Sequence, residues 1–247
     1  MLNNNKHVLC EKPLTLHLDD TQQLIELARK QGKYLMEGIW SRCFPAYKQL
    51  KEELAQQTIG EVRLLTCNYG FARRSVPNLT ERDMGGGILF NVGCYAVQLA
   101  NLVFGSEKPV SVKASALFNS TGADDTTAVI LQYASGAMAQ FMVSMSMKLD
   151  STAKIVGTTG EMELPGTFIA PTELRVNQQT RLFPLPAADP RFKTNYTNSV
   201  GLAYQAEEAR QCILSGQIEN PWMTFEDSSR SAQLMERICK ETGLKYD

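Results

Sequence analysis

The sequence predicts an α/β unit at the start of the chain, followed by an α+β domain with a mixed, largely antiparallel sheet. Short apolar runs at residues 8–10 and 34–36 flank a stretch of helical periodicity. From residue 61 onward, runs of alternating apolar and polar residues follow one another without helices between them, which favours antiparallel strands. We therefore assign residues 1–42 to the α/β unit and residues 43–247 to the α+β domain.

The first apolar run is a short strand that ends at a charged pair and a proline, Glu11-Lys12-Pro13. A proline disfavours helical backbone angles in the residue before it, so Lys12 is expected to be extended where the strand leaves the sheet. Ligands of open α/β sheets lie beyond the carboxyl ends of the strands. Lys12 is therefore expected to point into a binding crevice.

The segment between the two apolar runs predicts a helix. Asp19 and Asp20 fall in its first turn, where carboxylates suit the helix dipole, and Gly32 follows its last turn as a C-cap. Two strands joined by a helix of this length form a βαβ unit, so the strands should be parallel. Since no glycine-rich turn precedes the first strand, we expect this unit to be the last part of a doubly wound domain.

The second domain is predicted from a longer series of helices and strands. Phe44 and Pro45 begin a helix that ends near Gly60, and a triple glycine at residues 85–87 precedes an apolar helix over residues 88–104. Alternating runs predict strands at residues 62–71, 110–118, 126–133, 137–147 and 153–156. Two further helices are predicted at residues 202–214 and 227–242. The helices are expected to cover one face of the sheet and to leave the other face open.

Composition and charge argue against several classes of function. A net charge of -1 gives no reason to expect nucleic acid or an anionic membrane as a partner. Arg73 and Arg74 form a basic pair that a solvated loop explains. No apolar run approaches the ~20 residues of a membrane span. Six cysteines without zinc spacing suit reduced thiols in a cytoplasmic protein, and with only two histidines we expect no metal site.

Several short segments, in their order and spacing, resemble the Gfo/Idh/MocA oxidoreductase family. Four segments carry the resemblance: His-Val-Leu-Cys-Glu-Lys-Pro at 7–13, Trp-Ser-Arg-Cys-Phe-Pro at 40–45, Ile-Gly-Glu-Val at 59–62, and Gly-Gly-Gly through Gly-Cys-Tyr at 85–95. Residues 122–126 and 171–174 resemble the dihydrodiol dehydrogenase group of that family. The resemblance spans the whole chain, but the family's first strand and its Gly-x-Gly-x-x-Gly turn have no counterpart in it.

The resemblance implies the C-terminal remnant of a Rossmann domain and an open-faced sheet domain that binds substrate and forms a homodimer. It implies NADP as the cofactor, with NAD as the alternative, and hydride transfer from a carbinol carbon of a trans-dihydrodiol or a D-xylose-like aldose. We expect the chain to be an N-terminally truncated form of such an enzyme. The alternative is a catalytically inactive truncated homologue that acts as a binding or dimerisation module, which the missing pyrophosphate turn favours.

The resemblance implies two catalytic residues, Lys12 and Tyr95. Tyr95 would exchange a proton with the substrate hydroxyl. Lys12, beside the nicotinamide, would lower the pKa of that phenol, which is ~10 when unperturbed. From the residues alone, Lys12 could equally be a surface lysine at a strand end. Tyr95 could be a core residue of an apolar helix with its hydroxyl at the edge.

The other candidate residues are expected at the same mouth of the sheet. By resemblance, cofactor binding involves Glu11, Lys12, Pro13, Trp40 and Arg42, and substrate binding involves Trp40, Gly87, Asn91 and Tyr95. Trp40 could instead pack between the domains, and Arg42 could contact a carboxylate across the domain boundary rather than a phosphate. Relatives carry aspartate at the position of Asn91. The amide keeps hydrogen-bonding capacity but loses a negative charge, which predicts a changed substrate preference or a lower efficiency.

Overall fold

The computed structural model shows two sheets, one in each predicted part of the chain. The residues that it describes are 1–72, 77–187, 191, 194 and 196–245. The basic pair Arg73 and Arg74 lies outside these residues. In the described part, the first sheet has two strands and the second has eight, so a small α/β unit is followed by a larger mixed domain.

The first unit has the predicted βαβ arrangement. β1 (Val8–Glu11) and β2 (Leu35–Gly38) are joined by α1 (Leu18–Gln31) and pair in parallel. α1 ends at Gly32, whose backbone is left-handed with a φ of 57°, as is common for a C-cap glycine. The unit shares a small buried cluster with Phe225, so it packs against the end of the chain.

The second sheet is mixed and largely antiparallel, as predicted. In chain order its strands are β3 (Val62–Gly70), β4 (Ser111–Phe118), β5 (Asp124–Gln132), β6 (Met138–Ser144), β7 (Ala153–Gly157), β8 (Glu161–Leu164), β9 (Glu173–Val176) and β10 (Gln179–Leu182). Their order across the sheet is β10-β9-β8-β7-β3-β6-β5-β4, and β3 pairs in parallel with β6. Strands β8, β9 and β10 are not among the predicted ones, because runs of four residues are too short for alternation to stand out from a turn.

Helices α2 (Pro45–Ala55), α4 (Cys94–Phe104) and α6 (Phe225–Thr242) pack against strands of this sheet. Two further helices, α3 (Pro77–Thr80) and α5 (Leu202–Leu214), contact neighbouring 3-10 turns. Val129, Leu131 and Phe141 point towards the core and are at most 3% exposed, whereas Ile130 and Met138 point away and are 44% and 38% exposed. The alternation confirms that the opposite face of the sheet is open.

Two predicted helices differ from those observed. The helix that begins at Pro45 ends at Ala55 rather than near Gly60. The helix predicted over residues 88–104 starts with a five-residue π-helical turn, Leu89–Gly93, and becomes α-helical only at Cys94. Such turns are rare and occur often at functional sites.

One described segment, Arg82–Phe104, is long and apolar enough to cross a membrane by length and composition, with a mean hydropathy of 1.5 over an 18-residue window. The prediction that no apolar run approaches the length of a membrane span is therefore wrong for this segment. However, 78% of that window is buried inside the protein, and α4 packs against β3 and α6. The segment therefore contains a central helix of the folded core.

Candidate active site

Lys12 directly follows β1, at the carboxyl end of the two parallel strands. Its ammonium donates a hydrogen bond to the main-chain oxygen of Asn91. The same nitrogen lies 5.2 Å from the centroid of the Tyr95 ring. The side chain is half-buried, so it is not the freely solvated lysine of the simpler interpretation. The fold thus brings the ammonium of residue 12 and the aromatic ring of residue 95 to one place.

Tyr95 lies in the first turn of α4 and is 8% exposed. Burial raises the pKa of its phenol well above the usual value, and the Cys94 thiol and the Glu11 carboxylate raise it further. A hydrogen bond with Trp40 lowers the pKa, but burial outweighs it. The lowering of this pKa that we predicted from Lys12 is therefore not found. The phenol is protonated at neutral pH and is suited to donate a proton.

Trp40 begins the 3-10 turn that directly follows β2. Its ring packs edge-on against Phe44, with 5.3 Å between the ring centroids, and its side chain hydrogen-bonds to Tyr95. It is 8% exposed. Trp40 therefore packs against neighbouring elements and contacts the candidate proton donor, and its part in binding nicotinamide or substrate stays a prediction.

Asn91 contributes its main chain to the site. Its carbonyl oxygen lies within the π-turn and accepts the hydrogen bond of Lys12. Any L-residue could supply this oxygen. The amide in place of the expected aspartate therefore leaves the contact between the two segments unaffected.

Arg42 is an interior residue, which corrects its assignment to the cofactor. It is 3% exposed, and its guanidinium donates to the side chain and the main-chain oxygen of Gln98 at 2.5 and 2.8 Å. It also lies 3.7 Å from the Asp227 carboxylate. These partners and the burial leave no access for a cofactor phosphate. Of the two alternatives for Arg42, the carboxylate contact is the one present.

The remaining candidates are close to these residues along the chain. Pro13 is joined to Lys12 by a cis peptide bond, and Glu11 is exposed at the end of β1. Gly87 has a φ of 138°, a backbone conformation that L side chains rarely adopt, and its N–H donates to the Leu79 carbonyl at 2.9 Å. The glycine is therefore required by the loop itself, whatever its relation to substrate.

Two buried carboxyl groups beside the site are absent from the predicted set. Glu37 is 5% exposed and Asp124 is 0% exposed. Burial raises the pKa of each carboxyl. An acidic residue in the otherwise apolar run of β2 is a sequence feature that could have identified Glu37. Nothing comparable marks Asp124, which stands beside another aspartate in a polar segment.

Comparison with known families and proteins gives a consistent result. The family described as "Oxidoreductase family, NAD-binding Rossmann fold" matches residues 1–39, and "GFO/IDH/MocA C-terminal domain" matches residues 47–163. Trans-1,2-dihydrobenzene-1,2-diol dehydrogenase of Xenopus tropicalis is 37% identical over 245 residues, which are 99% of this chain and 74% of that protein. The human protein of the same name is 34% identical over 241 residues, 98% of this chain and 72% of its own length.

Solved structures show the same fold. The aldose-aldose oxidoreductase of Caulobacter crescentus, in complex with glycerol, superposes with a TM-score of 0.79 at 23% identity. The superposition covers 98% of this chain and 71% of that one. A 3-ketoreductase of Actinomadura kijaniata, in complex with NADP and TDP-benzene, has a TM-score of 0.78 at 24% identity and covers 98% and 72%.

Proposed function

The chain belongs to the Gfo/Idh/MocA oxidoreductase family and is an oxidoreductase that acts on CH–OH groups with a nicotinamide cofactor; from this premise we propose that its substrate is a trans-dihydrodiol or a D-xylose-like aldose and that its cofactor is NADP. The names of the dihydrodiol dehydrogenase relatives support the substrate class. The 3-ketoreductase in complex with NADP supports the cofactor. We further propose a cytoplasmic location, which six free thiols support.

One observation is the main support for the proposal. Lys12, the Asn91 carbonyl and the Tyr95 ring lie together at the carboxyl ends of β1 and β2. Ligands of α/β sheets bind at such ends. An ammonium has three donor hydrogens, so Lys12 can hold the Asn91 oxygen and still donate to a substrate oxygen. Tyr95 carries the proton that a substrate oxygen would gain or lose.

The described residues fit one end of the cofactor. The ammonium of Lys12, with Glu11, Pro13 and the Trp40 indole around it, would hold the nicotinamide end at this edge of the sheet. A pyrophosphate needs main-chain N–H groups at a glycine-rich turn, and no Gly-x-Gly-x-x-Gly follows a strand in the described residues. When bound, the nicotinamide supplies the hydride chemistry. The residues of this chain orient the substrate, exclude water and hold the proton at the Tyr95 oxygen.

Binding and turnover test this proposal together. We expect saturable binding of NADPH, measured by its fluorescence, and NADP-dependent oxidation of D-xylose or a trans-dihydrodiol. Tyr95→Phe should lower kcat by about 10²–10⁴-fold, because general acid–base catalysis contributes that much, with little change in nucleotide affinity. Tyr133→Phe is the matched control, since Tyr133 is also buried but stacks on Phe104 at the other end of α4.

The second candidate function is a non-catalytic dimerisation module. The exposed apolar side chains on the open face of the sheet favour it: Leu117, Ile130 and Met138 are 64%, 44% and 38% exposed. We propose that this face forms a homodimer in either case. Absence of NADPH binding at millimolar concentration, with an intact dimer, would favour the module over the enzyme.

A further inference from the structure

Two buried carboxyl groups each accept a hydrogen bond from the main chain of one of the two segments that meet at the site. Glu37 accepts the N–H of Leu14, two residues after Lys12, at 3.1 Å. Asp124 accepts the N–H of Leu89, the first residue of the π-turn, at 2.9 Å. One carboxyl thus contacts the segment that carries the ammonium, and the other contacts the segment that carries its acceptor.

Asp124 fixes the beginning of the π-turn. The first N–H groups of a helix have no partner within the helix, so an acceptor from another element determines where the helix begins. The Oδ2 atom of Asp124, at the start of β5, is that acceptor. The hydroxyl of Thr127 donates to the same oxygen at 2.6 Å and fixes the orientation of the carboxylate.

Glu37 fixes the turn that follows β1 in a similar way. It belongs to β2, opposite Cys10 in the parallel pair, and its side chain reaches across to Leu14. The turn between Cys10 and Leu14 contains Lys12, whose ammonium must extend from it to the Asn91 oxygen. The position of the ammonium therefore depends on a strand that Lys12 itself does not belong to.

A purely structural role explains neither residue well. Burying a carboxyl group is costly unless hydrogen bonds compensate for the lost water, and an apolar side chain would fill the same space without that cost. Each of the two carboxyls accepts a hydrogen bond from the main chain of a segment at the site. Since misplacing a reacting group by ~1 Å can lower a rate about 100-fold, such placement has a catalytic benefit.

We propose that Glu37 and Asp124 are positioning residues that hold Lys12 and the Asn91 carbonyl in contact beside the Tyr95 ring. The catalytic consequence rests on the proposed function. The placement of Lys12 does not, because the reactivity of its amine can be measured in the absence of any substrate.

The experiment compares the rates at which Lys12 and Lys30 are acetylated in the folded protein, quantified by mass spectrometry. Lys30 is exposed on α1, away from the open face of the sheet, and serves as the reference within each molecule. Glu37→Leu and Asp124→Ala remove the acceptors. We expect each to raise the Lys12:Lys30 ratio by about tenfold, the effect of losing a hydrogen bond to a charged group.

Conservative variants separate hydrogen bonding from charge. Glu37→Gln and Asp124→Asn keep an acceptor oxygen, so the ratio should stay within about threefold of the native value. Asp150→Ala, at an exposed residue, should leave it unchanged. If Asp124→Ala does not fold, Thr127→Val removes the support of the carboxylate and should give a smaller rise in the same direction.

Two results would overturn the proposal. The first is an unchanged ratio in Glu37→Leu and in whichever of Asp124→Ala and Thr127→Val folds, even if thermal stability falls. The second is an equal rise in the amide variants, which would indicate charge rather than hydrogen bonding. If the native protein lacks dehydrogenase activity, the proposed function fails while the acetylation ratios still decide the positioning role. If it is active, kcat/KM should fall in the same variants in which the ratio rises.

Discussion

At the scale of single residues, the contact between the Lys12 ammonium and a main-chain oxygen defines the site. A carbonyl oxygen does not titrate, so this contact persists across the pH range in which carboxylates change charge. Beside it, burial keeps the Tyr95 phenol protonated at neutral pH. Lys12 therefore provides a positive charge and Tyr95 a proton donor. Both are needed beside a substrate oxygen that alternates between hydroxyl and carbonyl.

The main-chain nature of the contact predicts how the site tolerates change at residue 91. Asn91→Asp should alter kcat/KM by less than about tenfold, whereas Lys12→Met should lower it by about 100-fold or more, because it removes a charge that stabilises developing negative charge on oxygen. Steady-state kinetics measure both, with Lys30→Met as the control at an exposed lysine. A 100-fold effect of Asn91→Asp would instead indicate that this side chain acts directly on the substrate.

The buried carboxyl of Glu37 predicts a pH dependence of stability. Burial raises its pKa, so the folded state binds more protons than the unfolded state between the ordinary value, ~4.3, and the raised one. The free energy of unfolding contributed by this group therefore falls as pH rises through that window. Glu37→Gln cannot titrate, so its stability relative to the native chain should be greater at about pH 8 than at about pH 5. Urea denaturation at both pH values measures this, and a pH-independent difference would contradict it.

At the scale of elements, Arg42 joins three of them. Its guanidinium extends from the turn Trp40–Cys43 to Gln98 of α4 and Asp227 of α6. The turn carries Trp40, which contacts Tyr95. Arg42 therefore supports the site from the interior, although it does not line it.

Removing this link should destabilise the protein. Arg42→Met leaves buried acceptors without their donor, and we expect the free energy of unfolding to fall by about 3 kcal/mol. Arg210→Met is the control, because Arg210 forms an exposed pair with Glu207 within one turn of α5 and its removal should have no measurable effect. Denaturant midpoints measure both, and equal midpoints for the two variants would show that Arg42 is dispensable.

At the scale of the whole molecule, one face of the eight-stranded sheet has no helix packed against it among the described elements. Its exposed apolar side chains in β4, β5 and β6 alternate with polar ones across paired strands: Leu117 is paired with Thr126, and Ile130 with Lys113 and Gln140. Exposed apolar patches on a sheet face are typical of protein–protein contacts. The helix-covered face, by contrast, contains the core and leads to the site at α4.

The open face predicts a homodimer that a single charge can dissociate. Ile130→Glu, near the centre of the face, should convert a dimer into a monomer in analytical ultracentrifugation, because the interface would remove a carboxylate from water and the facing Lys113 would offset that cost only in part. Leu214→Glu is the control, since Leu214 is 69% exposed on α5. A native chain that sediments as a monomer, or an Ile130→Glu dimer, would exclude this face as the interface.

The sequence by itself determined those features that depend on neighbours along the chain. Periodicity and capping residues predicted the βαβ unit, the helix α5 and the central strands, and the Glu-Lys-Pro segment predicted a lysine at a strand end. The family and its cofactor class also followed from short segments in order. These features are local, so a single strand or turn is enough to specify them.

Only the tertiary structure decided which of these residues act on one another. The π-turn, the burial of Arg42 and the raised pKa of Tyr95 all arise from elements that are far apart in the chain. So do the contacts of Glu37 and Asp124, each of which reaches a main-chain N–H in another element. Solvation and hydrogen bonding at a buried group depend on everything packed around it, and no spacing of residues along the chain specifies that.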